Sequence, residues 1–407
     1  MDENASGYTA TVSQFGHYTG LLYRAVFKNI YLFRVLGAFC LIGSAYYLAY
    51  YIEKLLIHVM DEGDSINKKF VWLMSSSVLF YYGNSFIITP SYNWLALLGT
   101  IMVIGGLFSI IDSDENDKKI FFMYKCFYLS LGAWLSWSGK PTTAVCLFII
   151  CVLFILVHVR NQSVQKLLLL KFSSVFVLIL MILHIIFFEN GIYGYFNEYR
   201  DGLKAIEMLG GHKISVLQKL LTVWEGYKDI FLYTFDKSLN LFFLVCTLAI
   251  QIIFFVGIKS GKSNISTSKN LALSTNVILF VSLFPFCFPM GLNNLVLILL
   301  YMYSIFLFSN LVSLVMEVAI NKQPGNTSQL VYKKLYLLSL SIILVLSAFA
   351  VTIGTGNSYS AYMFKSLIFI VLATYFVIKT NLFLRKVIPF MFIIVCLAIA
   401  NFSVVNA

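Results

Sequence analysis

The chain has 407 residues, of which 60% are hydrophobic and 12% charged, and it carries a formal net charge of +11. A soluble fold could not hide so many apolar runs of about 20 residues, each long enough to cross roughly 30 Å of hydrocarbon, so the composition is that of a polytopic membrane protein. The lysines and arginines fall in short clusters between the apolar runs, which speaks against nucleic acid and for membrane orientation.

In chain order, apolar segments fall at about 31–52, 70–88, 92–111, 120–137, 141–159, 172–188, 240–258, 271–288, 293–319, 333–351, 361–379 and 388–405. Backbone groups in lipid must pair within their own segment and no period-2 alternation is visible, so an all-α polytopic bundle of about twelve spans is expected. Lys54, Lys68 and Lys69; Lys118 and Lys119; Arg160, Lys166 and Lys171; Lys259, Lys262 and Lys269; Lys322, Lys333 and Lys334; and Lys379, Arg385 and Lys386 occupy alternate loops. These loops are expected on the cytoplasmic side. Residues 1–30, 86–93, 136–141, 189–239, 286–293 and 352–360 and the C-terminus then lie outside.

Four regions follow: an outer first loop over 1–30, a transmembrane half over 31–188, an outer loop over 189–239 and a second transmembrane half over 240–407. The seven cysteines all lie in or beside apolar runs, without Cys-x-x-Cys or Cys/His spacing, so neither a disulfide scaffold nor a cysteine metal site is expected. The beginning, MDENASGYTATVSQFGHY, has no signal peptide and no apolar span, yet the charge pattern puts it outside. Either the first span carries a short tail across, or a preceding helix is missing and Met1 is an internal start.

Polar groups collect on the outer side. They include Asp2, Glu3 and His17 in the first loop, Ser91, Tyr92 and Asn93 in TPSYNW, Lys140 in SWSGKPTT, and Asn293 and Asn294 in FPMGLNN. Within 189–239, Ile214, Leu217, Leu221 and Trp224 recur at helical spacing, which fits a helix in the membrane interface, and Arg200, Asp201 and Lys204 precede it. Simpler readings stand beside these. Ser91 and Asn93, like Asn293 and Asn294, are suited to capping a helix; Lys140 is suited to snorkelling; Asp2 and Glu3 are suited to solvation at a chain end. Trp134, Trp137 and Tyr193 read as interfacial belt residues. Lys125 and Lys365, inside expected spans, either snorkel or face a polar interior.

With these segments in order, the chain resembles the integral-membrane glycosyltransferases of the GT-C superfamily, the class of the protein O-mannosyltransferases and aminoarabinose transferases. The stretch DENASGYTATVSQFGHYTGLLYRAVFKNIYLFRVLG is similar to the first outer loop of that class, with Asp2 and Glu3 as its acidic pair. PSYNWLALLG, SGKPTTAVCLFI and FPMGLNN resemble its outer-end motifs. The class has a helix before the acidic loop that this sequence lacks.

The resemblance implies a sugar donor on a polyprenyl phosphate, an acceptor outside the cytoplasm, and residence in a bacterial inner membrane. It implies Asp2 as the base, with Glu3 as its alternative or as a metal ligand. Lys140 and Arg200 would hold phosphate, Tyr92 and Asn93 would bind sugar or position Asp2, and Asn293 and Asn294 would line the same face. A divalent ion is compatible, since some relatives use one, although no His/Asp/Glu cluster in the sequence requires it. Two other classes share the spans: an O-antigen polymerase or lipid-linked oligosaccharide flippase, the former with more arginines in a large outer loop, and a secondary transporter, with internal repeats and charges at mid-membrane.

Overall fold

The computed structural model describes residues 15–60, 68–79, 90–112, 119–158, 164–189, 191–208, 326–352 and 367–379, with the helical positions 303, 307 and 311. Among the described residues every regular element is a helix and none is a strand. These are α1 (Phe15–Ala25), α2 (Ile30–Met60), α3 (Lys68–Ser76) with a 3-10 turn at Ser77–Leu79, α4 (Tyr92–Ile111), α5 (Lys119–Gly139), α6 (Pro141–His158), α7 (Val164–Phe188), α8 (Ile192–Met208), α9 (Asn326–Thr352) and α10 (Leu367–Lys379).

Among the described residues four stretches are long and apolar enough to cross a membrane: Ile30–His58, Tyr92–Ile111, Lys171–Phe188 and Leu335–Thr352. They make the chain a membrane protein by length and composition. Pro141–Ile155 is apolar but shorter. The expected spans at 240–258, 271–288 and 388–405 lie outside the described residues, as does most of 293–319. So does the expected interfacial helix at 214–224.

The chain divides into two compact units. The first comprises Met1–Val223, Leu346–Asn357 and Lys365–Ile368, and the second Trp224–Val345, Ser358–Phe364 and Phe369–Ala407. In the second, Tyr303 and Ser341 are buried and their hydroxyls lie 3.2 Å apart.

In the first unit α4 is central, with every residue from Asn93 to Ile110 buried. Pro90 precedes the helix and Ser91 caps it from extended backbone, its hydroxyl accepting from the Trp94 N–H. The capping role read for Ser91 is therefore present. At the other end Asp112 sits against the negative pole of the helix, an unfavourable place for a carboxylate, and Lys54 of α2 pairs with it. Thr100 and Ser109 return their hydroxyl protons to the Ala96 and Gly106 carbonyls, which is how a buried helix keeps polar side chains without orphan groups.

A seam of glycines brings α4 and α5 together. A methyl on Gly99 would lie 2.5 Å from the Gly132 carbonyl oxygen, and one on Gly132 2.6 Å from the Met102 Cβ. Gly106 and Gly139 continue the seam seven residues further along each helix. Small residues let helices associate in lipid by close backbone contact, where burying apolar surface gives no advantage.

Lys125, inside α5, is buried with its ammonium 5.8 Å from the Tyr51 ring centre. Of the two readings for this lysine, the inward-facing one holds. Between α1 and α2 the chain turns through Phe27 and Lys28, both at positive φ. The Lys28 N–H closes back on the Tyr23 carbonyl and Asn29 then caps α2 through Tyr31 and Leu32.

Candidate functional site

Two polar groupings form at one end of the first unit, where α4 and α6 begin and α5 and α7 finish. The first is built on the single residue that separates α5 from α6. Lys140 donates its backbone N–H to the Ser136 carbonyl as the last act of α5, and its own carbonyl accepts from Ala144 as the first act of α6. Pro141 follows at the first helical position, where the missing N–H costs nothing. Fixed in this way, the Lys140 side chain is only 6% exposed. Its ammonium donates to Asn93 Oδ1 and to the Val351 carbonyl, each at 3.3 Å, and lies 6.0 Å from the centre of the Tyr92 ring. Thr143, one turn along, donates to the Ala350 carbonyl at 2.8 Å.

Lys140 thus does not snorkel. A buried ammonium is costly unless hydrogen-bonded, and here the Asn93 and Val351 oxygens fix its position. Asn93 is not a capping residue; its side-chain oxygen is spent on Lys140.

The second grouping joins α1, α5, α7 and α8. His17 lies with its Nε2 3.9 Å from Oε1 of both Glu189 and Glu198. His184, fully buried, places its Nε2 3.5 Å from the same Glu189 oxygen. Neither histidine Nε2 has a hydrogen-bond partner. The ring of Phe188 closes over both histidines, at 5.1 Å from His17 and 5.3 Å from His184.

Two tryptophans of α5 complete the frame. Trp134 donates its indole N–H to the Tyr18 hydroxyl oxygen, and that hydroxyl lies 2.9 Å from His184 Nδ1. Trp137 donates to the Tyr195 hydroxyl oxygen at 3.0 Å. Trp134 is buried and Trp137 half-buried, and each indole N–H, which needs an acceptor away from water, finds a tyrosine hydroxyl. Tyr193 is 84% exposed on α8, beside exposed Ile192 and Phe196. That side of α8 has the character of an interfacial surface.

Charge in this recess is shaped by burial. Burial holds His17 below the ordinary histidine range, against the raising influence of Glu198, so its imidazole is neutral at pH 7. Burial and the neighbouring Glu198 push Glu189 up to about 8, so that it keeps a proton at neutral pH. A carboxyl pair in which Glu189 is protonated and two imidazoles whose Nε2 atoms make no hydrogen bond form a site able to exchange that proton for a cation.

Of the residues singled out in the sequence, Tyr92, Asn93 and Lys140 are brought together. Arg200 is on α8 with its side chain 64% exposed, 3.8 Å from Asp201. Asp2, Glu3, Asn293 and Asn294 lie outside the described residues. The His17, His184, Glu189 and Glu198 grouping was not foreseen, since its members follow no local spacing. No family model, no curated protein and no solved structure matches the chain.

Proposed function

We propose that the chain is an integral-membrane glycosyltransferase of the GT-C kind, with about twelve spans, seated in a bacterial inner membrane. It takes a sugar from a polyprenyl-phosphate donor and passes it to an acceptor hydroxyl on the extracytoplasmic side. The observation that carries this reading is the buried Lys140 ammonium, held by Asn93 and the Val351 carbonyl beside Tyr92.

In such a transfer a new bond forms between the sugar anomeric carbon and the acceptor oxygen while the bond to phosphate oxygen breaks. The acceptor proton goes to a carboxylate, here Asp2 or Glu3, and the electron pair leaves with the polyprenyl phosphate. A fixed cation stabilises that departing anion most effectively where water is excluded, because no solvent has to reorganise around it. Lys140 has the charge, the burial and the rigidity for this role. Tyr92, 39% exposed at the start of α4, stands between it and the surface. Arg200, on exposed α8, suits an earlier contact with the donor head group.

The test is transfer itself. Membranes containing the full chain, supplied with polyprenyl phosphate carrying a labelled hexose or pentose, should move label off the lipid. Asp2→Asn and Lys140→Met should each stop this at unchanged membrane abundance. Label that stays on every donor tried, or moves equally well in both variants, would exclude the reading.

A further inference from the structure

We propose that His17, Glu189, Glu198 and His184 form a binding site for one divalent first-row transition metal ion of the zinc type. The proposal is independent of the transferase reading, because it concerns binding and requires no sugar substrate.

One ligand atom each from His17, Glu189 and Glu198 all lie within 4.8 Å of one another. His184, with its Nε2 3.5 Å from Glu189 Oε1, stands beside this set and would complete it by closing toward His17 and Glu198. Four ligands held at about 2.0–2.1 Å around a tetrahedral ion are about 3.3 Å apart; the 3.5 and 3.9 Å separations are near this, and the remaining ones, up to 4.8 Å within the three-residue set, would have to shorten on binding. Neither histidine Nε2 makes a hydrogen bond to these carboxyl groups, while Glu189 and Glu198 are hydrogen-bonded to each other.

The independent sign of a ligand is His184. Its side chain is fully buried, and its Nε2 faces a carboxylate oxygen without a hydrogen-bond partner. Its Nδ1 is engaged by the Tyr18 hydroxyl at 2.9 Å, which leaves Nε2 as the nitrogen directed at Glu189. A fully buried ring nitrogen left without a hydrogen bond and aimed at a carboxyl oxygen is a costly arrangement that a bound ion would satisfy. A histidine held through Nδ1 by a polar partner, with Nε2 aimed at other ligands, is also how proteins orient an imidazole for metal. Trp134 fixes the Tyr18 oxygen in turn, giving the recess an ordered outer layer.

The donor set selects the ion. Two imidazoles and two carboxylates suit zinc and its neighbours, whereas magnesium and calcium take mostly oxygen and keep more water. The ligands come from α1, the end of α7 and α8, so a bound ion would tie three separate segments of the first unit together.

The full chain, purified without a polyhistidine tag, stripped with chelator and titrated with zinc, should bind about one equivalent per chain. Magnesium at the same concentration should leave that binding unchanged. His184→Ala and Glu198→Gln should each lose stoichiometric binding, while Arg200→Ala keeps it. Should either variant fail to fold, the unaltered chain still decides. Cobalt should give the intense visible absorption of a four-coordinate site and lose it when zinc is added. A featureless cobalt spectrum, or zinc stoichiometry equal in the parent and in well-folded His184→Ala, would overturn the proposal.

Discussion

The hydroxyl of Tyr18 lies 2.9 Å from Nδ1 of His184, joining two residues 166 positions apart. This bond fixes one imidazole nitrogen and leaves the other aimed at Glu189. Tyr18→Phe should keep the zinc stoichiometry but weaken affinity by about 10- to 100-fold, the usual effect of losing a group that orients a ligand. Isothermal titration of the two proteins measures this, and unchanged affinity would remove Tyr18 from the site.

Metal uptake should depend on pH in a defined direction. Glu189 is held up to about 8 by burial and Glu198, and the groups facing it from neighbouring elements include His17 of α1, His184 of α7, and Glu198 and Tyr195 of α8. A metal must displace the proton on Glu189, so apparent zinc affinity should rise from pH 6 to pH 8.5 with release of a proton on binding. Paired titrations in buffers of different ionisation enthalpy give that proton count.

The same group makes a statement about the metal-free protein. A carboxyl whose folded pKa is raised contributes stability that is full below its unfolded pKa, near 4.5, and is lost as pH rises through about 8. The metal-free chain should therefore unfold at a lower temperature at pH 9 than at pH 6, and Glu189→Gln should flatten this dependence. Thermal unfolding in detergent at the two pH values checks it.

The glycine seam gives a prediction that needs no ligand. Gly132→Ala would drive a methyl to 2.6 Å from Met102 Cβ and 2.8 Å from the Val103 nitrogen, whereas Gly43→Ala meets nothing within 4 Å. The first should destabilise by at least the about 1–3 kcal/mol of an overpacked core. The second should be neutral or stabilising by up to about 1 kcal/mol, from helix propensity alone. Detergent stability of the two variants, compared side by side, tests the close approach of α4 and α5.

Much of the first unit was legible because apolar runs in membrane proteins are long and bounded by turn chemistry. The bounds of α4 fall at Tyr92 and Ile111 as the sequence indicates, since Ser91 after Pro90 caps the helix. Other spans run longer than expected: α2 continues to Met60 and α7 begins at Val164, because helices extend past the hydrophobic stretch into polar sequence. The meeting of Tyr92, Asn93 and Lys140 was also within reach, since all three sit at helix ends on one side of the charge pattern.

The histidine and glutamate grouping was not legible. His17 is on a short helix, Glu189 and Glu198 follow a span much later, and nothing local links them. Trp134 and Trp137 were assigned to the membrane boundary by residue type, yet type does not say which way a ring faces. The glycine seam did leave a signal, the shared seven-residue spacing of Gly99 with Gly106 and Gly132 with Gly139, which becomes meaningful once the two helices are paired.

Orientation is testable apart from chemistry. A single cysteine at Ser91 should react with an impermeant reagent from outside intact cells, and one at Ser263 only after the inner face is opened. The reverse pattern would move Lys140 to the cytoplasmic side and with it the proposed donor site.

The most direct measurement is binding of a polyprenyl phosphate to the purified full chain in nanodiscs, compared with the corresponding polyprenol. A fixed, buried Lys140 ammonium predicts that the chain prefers the phosphate at least about tenfold, the worth of one charge-assisted contact. Lys140→Met should abolish the preference while leaving the polyprenol signal unchanged. Equal binding of phosphate and alcohol by the parent chain, or a preference that survives in Lys140→Met, would contradict the account.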